Sequence, residues 1–127
     1  MENSNILQKD ENRELPVPLI WRDTLKAIAN SFVERNFPSS NIKEKLSAFD
    51  HKIIIINYGN IDDYPDKLGL LGDATWQTSI YIWDGDYWRV LLDLSDVDGN
   101  TTDLVLHLKV RENGNDFLFE PYLIYVP

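Results

Sequence analysis

Four aspartates grouped around one glycine are the first side chains in this sequence that could do chemistry. They are Asp93, Asp96, Asp98 and Asp103. Clustered carboxylates can bind Ca²⁺, and an EF-hand loop places oxygen ligands at positions one, three and five, glycine at six and glutamate at twelve. If Gly99 takes the sixth position, Leu94 falls first and Val105 twelfth, so both ends of the pattern fail. The spacing indicates solvated turn residues, and we predict no metal site.

The histidines are the next candidates. The chain has two, His51 and His107, in segments that belong to different elements, and no HExxH spacing occurs. His107, beside Lys109 and within reach of Arg89, has the outline of a phosphodiesterase-like site, but a histidine pair would need the second histidine close by. The sequence contains no nucleophile elbow, phosphate loop or dinucleotide fingerprint. We therefore predict no catalytic residue and no cofactor.

Acidic side chains are concentrated in the C-terminal part of the chain. The net charge is −9, and residues 51–127 supply −8 of it, with 13 acidic and 5 basic side chains. Such a field repels phosphate backbones, which argues against nucleic acid as a partner. It attracts basic proteins and speeds their association. The carboxylates predicted to contact such a partner are Asp62, Asp63, Asp66, Asp84 and Asp86.

Aromatic residues cluster around a predicted turn at Asp84–Asp86. The runs on either side are rich in β-branched and aromatic residues, which is typical of a hairpin. A three-residue loop pairs Ile80 with Val90, and this register gathers the aliphatic side chains on one face. The opposite face then carries Tyr81, Trp83, Tyr87, Arg89 and, from the next strand, His107. Tyr, Trp and Arg dominate binding hot spots, so this face is expected either to bind a partner or to be covered by a second layer.

An amphipathic helix must lie N-terminal to this hairpin. Pro16 and Pro18 favour an extended start. Apolar residues then recur at helical spacing for about four turns, ending near Phe37–Pro38; they are Trp21, Leu25, Ile28 and Phe32. Ser39–Asn41 can cap a second, shorter helix. Its buried side would be Ile42, Leu46 and Phe49.

The remaining segments complete a sheet. Ile53–Ile56 favours a strand or the end of a buried segment, and residues 58–73, with three glycines and four aspartates, favour a long acidic loop. Turns at Asp98–Asn100 and Asn113–Asn115 separate two further strands. Pro121 within the last strand indicates an edge or a bulge.

Together these elements predict one α+β domain over residues 16–127, preceded by a flexible arm at residues 1–15. One or two N-terminal helices pack on a curved, mostly antiparallel sheet of four or five strands in meander order. The chain has no cysteine, which favours a reducing compartment. No segment resembles a signal peptide or a membrane span, so we expect a cytoplasmic protein without membrane contact.

Five segments resemble an uncharacterised bacterial domain family of unknown function, in an order that covers roughly residues 16–127. They are Pro18–Leu25, Trp76–Ser79, Tyr87–Leu94, Asp103–Leu106 and Ile124–Pro127. The resemblance implies no active site. In size, acidity and absence of cysteine the chain also resembles the small acidic immunity proteins of bacterial contact-dependent inhibition systems.

Three functions follow as hypotheses. The first is a non-catalytic, acidic protein-binding module, most concretely an immunity protein that occludes the active site or nucleic-acid-binding surface of a cognate toxin such as a basic nuclease. The second is a small-ligand-binding or enzymatic domain with a pocket between helices and sheet; its lining would be Trp21, Phe32, Trp88 and Phe119. The third is a homodimer that uses an exposed strand edge or the aromatic face.

Overall fold

The structure, a computed structural model, describes residues 7–127. Within that range, five strands form one antiparallel sheet in sequence order. The strands are β1 (Leu15–Pro16), β2 (Ile80–Trp83), β3 (Trp88–Ser95), β4 (Thr101–Asn113) and β5 (Asp116–Tyr125). The helices are α1 (Leu19–Val33) and α2 (Lys52–Asp63), with 3₁₀ turns at Lys43–Lys45 and Asp73–Gln77. The predicted class, helices packed on an antiparallel meander, is confirmed.

Helix α1 forms from the predicted apolar stripe. Its four stripe residues, at i, i+4, i+7 and i+11 from Trp21, are fully buried, because that spacing puts them on one side of the helix. Trp21 meets Trp88 edge to face with ring centroids 5.5 Å apart. The helix ends at Val33, earlier than predicted, and Arg35 takes a left-handed conformation with φ of 60°.

Strand β4 shows how the sheet separates a core face from an open face. The core face, which packs against α1, takes the alternate residues Leu104, Leu106, Leu108 and Val110, all buried. The open face takes the residues between them, and β3 adds side chains opposite: Arg89 pairs with Lys109, and Leu91 pairs with His107. The predicted alternation in β4 is therefore confirmed.

The predicted register of the β2–β3 hairpin is wrong by one residue. Ile80 pairs with Leu91 and Tyr81 with Val90, across a four-residue turn in which the Asp84 amide donates to the Tyr87 carbonyl at 2.8 Å. This slip exchanges the two faces of β2. Tyr81 thus lies on the core face, 5.3 Å from the Trp21 ring. Both residue sets of β2 are apolar, and the larger aromatic set is the one that packs against α1.

The Ile53–Ile56 run is not a strand but part of α2, and the predicted acidic loop begins only after Asp63. Helix α2 lies along the outer edge of β5. The Asn57 side chain donates to the Tyr122 carbonyl and accepts from the Ile124 amide, both at 2.8 Å. It therefore replaces a neighbouring strand, which protects an edge that would otherwise pair with other chains.

The predicted second helix is reduced to the 3₁₀ turn at Lys43–Lys45. The next residues leave the helical path because Leu46 bridges to Phe119 and the Ser47 amide donates to the Phe119 carbonyl at 3.0 Å. Ile42 is still buried, as predicted. Pro121 lies on the edge strand next to the register shift between Leu106 and Leu108, so the prediction of an edge or bulge is confirmed.

The N-terminal segment contacts the sheet well before residue 16. The Trp88 indole donates to the Gln8 carbonyl at 2.8 Å, and the Lys9 ammonium lies 5.0 Å from the Trp83 ring. Leu15 then pairs with Tyr81 in β1. The part of the predicted flexible arm at residues 1–6 lies outside the described residues, whereas residues 7–15 lie against the domain.

Candidate binding surfaces

The structure divides the predicted aromatic face between the two sides of the sheet. Tyr81 is buried on the core face, and Trp83 is half-buried there beside Trp88, with ring centroids 4.9 Å apart. Arg89 and His107 lie on the open face, as their positions in β3 and β4 require, and the ring of the turn residue Tyr87 lies there beside Lys109. The three rings of Tyr81, Trp83 and Tyr87 therefore do not form one contact surface, because the register differs from the predicted one.

The predicted carboxylates are also divided, between opposite ends of the sheet. Asp84 and Asp86 lie in the β2–β3 turn, next to the Trp88–Val110 pair. The others lie near the opposite end of β4, where Tyr64 donates to the Asp103 carboxylate. Asp103 and Val110 are seven positions apart along β4, about 23 Å at the rise of a strand. The set at the second end is Asp62, Asp63 and Asp66.

Two loops pack against each other at that second end, and we call Leu68–Asp73 and Asp96–Asn100 the paired loops. A side chain at Gly69 would lie 2.6 Å from the Asp96 carbonyl oxygen, and one at Gly72 would collide with the Gly99 carbonyl oxygen. Only glycine permits such contact between backbones. The Gly69 amide donates to the Ser95 carbonyl at 3.0 Å. These contacts join the two loops backbone to backbone.

The paired loops are acidic and expose apolar side chains. Residues 62–73 and 96–103 together carry seven acidic side chains and one basic side chain, Lys67. Leu70 is 56% exposed and Val97 is 61% exposed. The Val97 backbone lies against Gly69, so the two apolar side chains lie close to the loop junction. A rigid apolar centre with a charged surround is the usual anatomy of a protein-binding site.

The open face carries charges of both signs. Its basic residues are Arg89, Lys109 and Arg111, three of the five in residues 51–127, and Glu120 lies opposite Lys109 and pairs with Arg111 at 2.6 Å. The Tyr87 ring lies 4.8 Å from the Lys109 ammonium and 5.2 Å from the Arg111 guanidinium. Asp84 pairs with Arg89 at 3.3 Å, while no carboxylate of residues 7–127 lies within 4 Å of the Lys109 ammonium.

A cavity of about 180 Å³ opens on this face, and we call it the open-face pocket. Its lining includes Arg89, Leu91, His107, Lys109 and Tyr122. The register shift between β4 and β5 falls at His107, and bulges commonly redirect side chains beside functional sites. The His107 ring stacks on Tyr125 with centroids 4.5 Å apart, and its Nε2 is buried without a hydrogen-bond partner among the described residues.

Burial, and then the positive charge of Arg89, lower the pKa of His107 below its ordinary value. Both effects favour the neutral imidazole over the imidazolium. At the acidic end of the sheet, the hydrogen bond to Asp103, followed by burial, raises the pKa of Tyr64.

Within residues 7–127, no group of three or more histidine and carboxylate side chains is placed to hold a metal ion. Neither described helix has the length and apolar character needed to cross a membrane.

Residues 28–127 match the model of a family described as a domain of unknown function, DUF7668. The chain belongs to this family. The match begins within α1, so Trp21 lies outside it, while the paired loops and the open-face pocket lie inside the DUF7668 region. Searches of curated proteins and of solved structures each found no match.

The sequence did not predict the paired loops. It also did not predict that Tyr122 lines the open-face pocket. The signal for the loops was the pair of glycines, Gly69 and Gly72, three residues apart and followed by a third at Gly99. Glycines at such spacing indicate close backbone contact, but they do not identify the other loop. The predicted pocket between helices and sheet is instead filled by packed rings, since Trp21 and Trp88 are both fully buried.

Proposed function

We propose that this chain is a non-catalytic protein-binding module whose paired loops dock a basic partner. The observation that carries the proposal is the exposure of Leu70 and Val97 on acidic loops that are joined backbone to backbone. Exposed apolar side chains on a rigid scaffold are ready contacts, because little conformational entropy is lost when they are buried by a partner. The surrounding carboxylates would steer a cationic surface to them.

The partner class follows from the charges. Among the paired loops and their flanks, Asp66, Asp98 and Asp73 have no ion-pair partner within the described residues. Such carboxylates favour lysine- and arginine-rich surfaces, which nucleases and other nucleic-acid-binding proteins carry. We therefore propose, more specifically, an immunity protein that occludes such a surface on a cognate bacterial toxin in the cytoplasm. The small size and acidity of the chain support this more specific proposal, which rests on no sequence motif.

Capture of a basic protein at low ionic strength tests the binding surface. The double variant Leu70→Ala/Val97→Ala is expected to lose the captured protein, since both contact side chains are truncated. The double variant Asp66→Asn/Asp98→Asn is expected to bind the captured protein only weakly. Its association rate should also depend less steeply on salt concentration. The matched control is Asp86→Asn at the opposite end of the sheet, which should bind as the wild type does. Binding lost in the control but kept in the loop variants would contradict the proposal.

Growth rescue tests the finer proposal. The chain would be co-expressed with a growth-inhibiting protein encoded beside its gene. Wild type and Asp86→Asn are expected to restore growth, and Leu70→Ala/Val97→Ala is expected to fail at equal expression. A protein that is captured through the paired loops but whose toxicity is not relieved would sink the immunity role and leave the binding module standing.

The homodimer hypothesis receives less support from the strand edges. Asn57 and Asn60 of α2 hydrogen-bond to β5, and Ser47 continues along it. The described β1, at the other edge, is only two residues long. Edges that are short or covered resist pairing with a second chain. We expect the chain to elute as a monomer in size-exclusion chromatography with light scattering.

A further inference from the structure

A groove opens between the end of α2 and the neighbouring ends of β4 and β5, and we call it the carboxylate–tyrosine groove. Its volume is about 480 Å³. The Asp63 and Asp103 carboxylates and the Tyr64 and Tyr125 rings line it, and among residues 7–127 no basic side chain does. Both aspartates are exposed, so a ligand in the groove can reach their carboxylates.

The negative charge of this groove is not balanced within the described residues. Asp62 and Asp63 lie in the last turn of α2, where the helix macrodipole disfavours acidic side chains. Asp62 pairs with Arg35 at 2.8 Å. Asp63 has no such partner in residues 7–127, and Asp103 has only the neutral Tyr64 hydroxyl as a donor. A cation in the groove would therefore stabilise both carboxylates.

The basic side chains closest to the groove along the chain do not fill it. Lys67 lines a neighbouring groove together with Asp66. His107 stacks on the Tyr125 ring with centroids 4.5 Å apart, yet Tyr125 remains 38% exposed. Exposed aromatic rings attract cations, so the tyrosines add to the attraction of the carboxylates.

The groove is also close to the paired loops. Pro65, on its rim, precedes Leu68 by three residues, and Asp103 follows Asn100 by three. Three residues of chain span at most about 11 Å. A protein docked on the paired loops could therefore place one of its own side chains in the groove.

The combination of carboxylates and rings favours one kind of cation. A guanidinium pairs with carboxylates through its planar donors and stacks on aromatic rings, whereas an ammonium is a compact point charge. We propose that the carboxylate–tyrosine groove receives an arginine side chain of the basic partner, an inference that rests on the proposed docking of that partner on the paired loops.

N-acetylarginine amide is a suitable probe, and N-acetylcitrulline amide is its uncharged control of the same shape. In two-dimensional amide NMR of the purified full chain, the arginine probe is expected to shift Asp63, Tyr64 and Asp103. Its dissociation constant should be about 1–10 mM, because water screens exposed ion pairs. Citrulline should bind at least about tenfold more weakly. Equal binding of the two, shifts that map elsewhere, no shifts, or tighter binding of N-acetyllysine amide would overturn the proposal.

Variants show whether the groove or the net charge of the chain holds the probe. Asp63→Asn and Asp103→Asn should each weaken binding about fivefold, and the asparagine at 103 can still accept from Tyr64. Asp86→Asn removes the same charge at the opposite end of the sheet and should leave binding unchanged. An equal loss in all three would mean non-specific attraction and overturn the proposal. Unchanged melting temperatures would show that weakened binding is not unfolding.

The probe needs no protein partner, so the two proposals can fail separately. If a basic protein is captured through Leu70 and Val97 but the arginine probe does not bind, the groove assignment fails and the docking function stands. If the probe binds in the groove and no basic protein is captured, the docking function fails and the arginine site stands.

Discussion

The two faces of the sheet differ in what their side chains do for the protein. On the core face of β4, Leu106 and Leu108 are buried against α1, whereas on the open face His107 and Lys109 remain half-exposed around a cavity. Burial of apolar area supplies most of the free energy of folding. The core face therefore supplies most of the free energy of folding, and the open face and paired loops can carry charges and exposed apolar groups because they contribute less to stability.

Truncation of the central core tryptophan should give the largest effect. Trp21→Ala removes a fully buried indole that contacts Tyr81 and Trp88, so the free energy of unfolding should fall by about 3–5 kcal/mol. Leu91→Ala on the open face is the control, with an expected loss of about 1 kcal/mol since that side chain is only half-buried. Urea denaturation measures both. Similar losses would show that the two faces do not differ as described.

Loss of the hydrogen bonds that attach α2 to the edge strand β5 should give the next largest effect. Asn57→Leu removes both side-chain hydrogen bonds to β5 and leaves the Ile124 amide and the Tyr122 carbonyl without them. The expected loss is about 2–3 kcal/mol. Asn60→Ala, which removes a single bond to the Ile124 carbonyl, should lose about 1 kcal/mol. If denaturation ranks Asn60→Ala above Asn57→Leu, the edge is held in some other way.

A matched pair of glycines tests the rigidity of the paired loops. Gly69→Ala places a methyl group 2.6 Å from the Asp96 carbonyl oxygen, so the loops must separate, at an expected loss of about 1–3 kcal/mol. Gly59→Ala in α2 meets nothing within 4 Å, and alanine should stabilise the helix by about 0.5–1 kcal/mol. Hydrogen exchange at the Gly72 amide should quicken in the first variant alone. Slow exchange in Gly69→Ala would contradict a rigid contact.

The same division explains what could be predicted from the sequence. Strand β4 alternates apolar and polar residues, so its faces could be assigned from pattern alone. In β2 both sets are apolar, and the choice depends on the Trp21 ring of a distant helix. Ile53–Ile56 has strand propensity, but Asn57 contacts β5 more than 60 residues away, and tertiary contacts override propensity. The paired loops and the pocket arise from contacts between segments, which periodicity does not encode.

Protonation of His107 should give the smallest effect, because it concerns the open face alone. Burial and the charge of Arg89 lower the pKa of this imidazole below 6.5 in the folded chain. As the pH falls through 6.5 towards the folded pKa, the unfolded chain takes up a proton that the folded chain resists. The stability that His107 contributes is thus present above pH 6.5 and decreases below it.

His107→Gln should therefore reduce the loss of stability between pH 7 and pH 5 relative to the wild type, as measured by urea denaturation at each pH. Arg89→Gln should raise the pKa of His107 only part of the way, since burial is the larger cause, and NMR titration of the imidazole measures this directly. Identical pH dependence in wild type and His107→Gln would mean that the imidazole is as well solvated folded as unfolded. The open face would then lack the desolvated pocket that distinguishes it from an ordinary polar sheet surface.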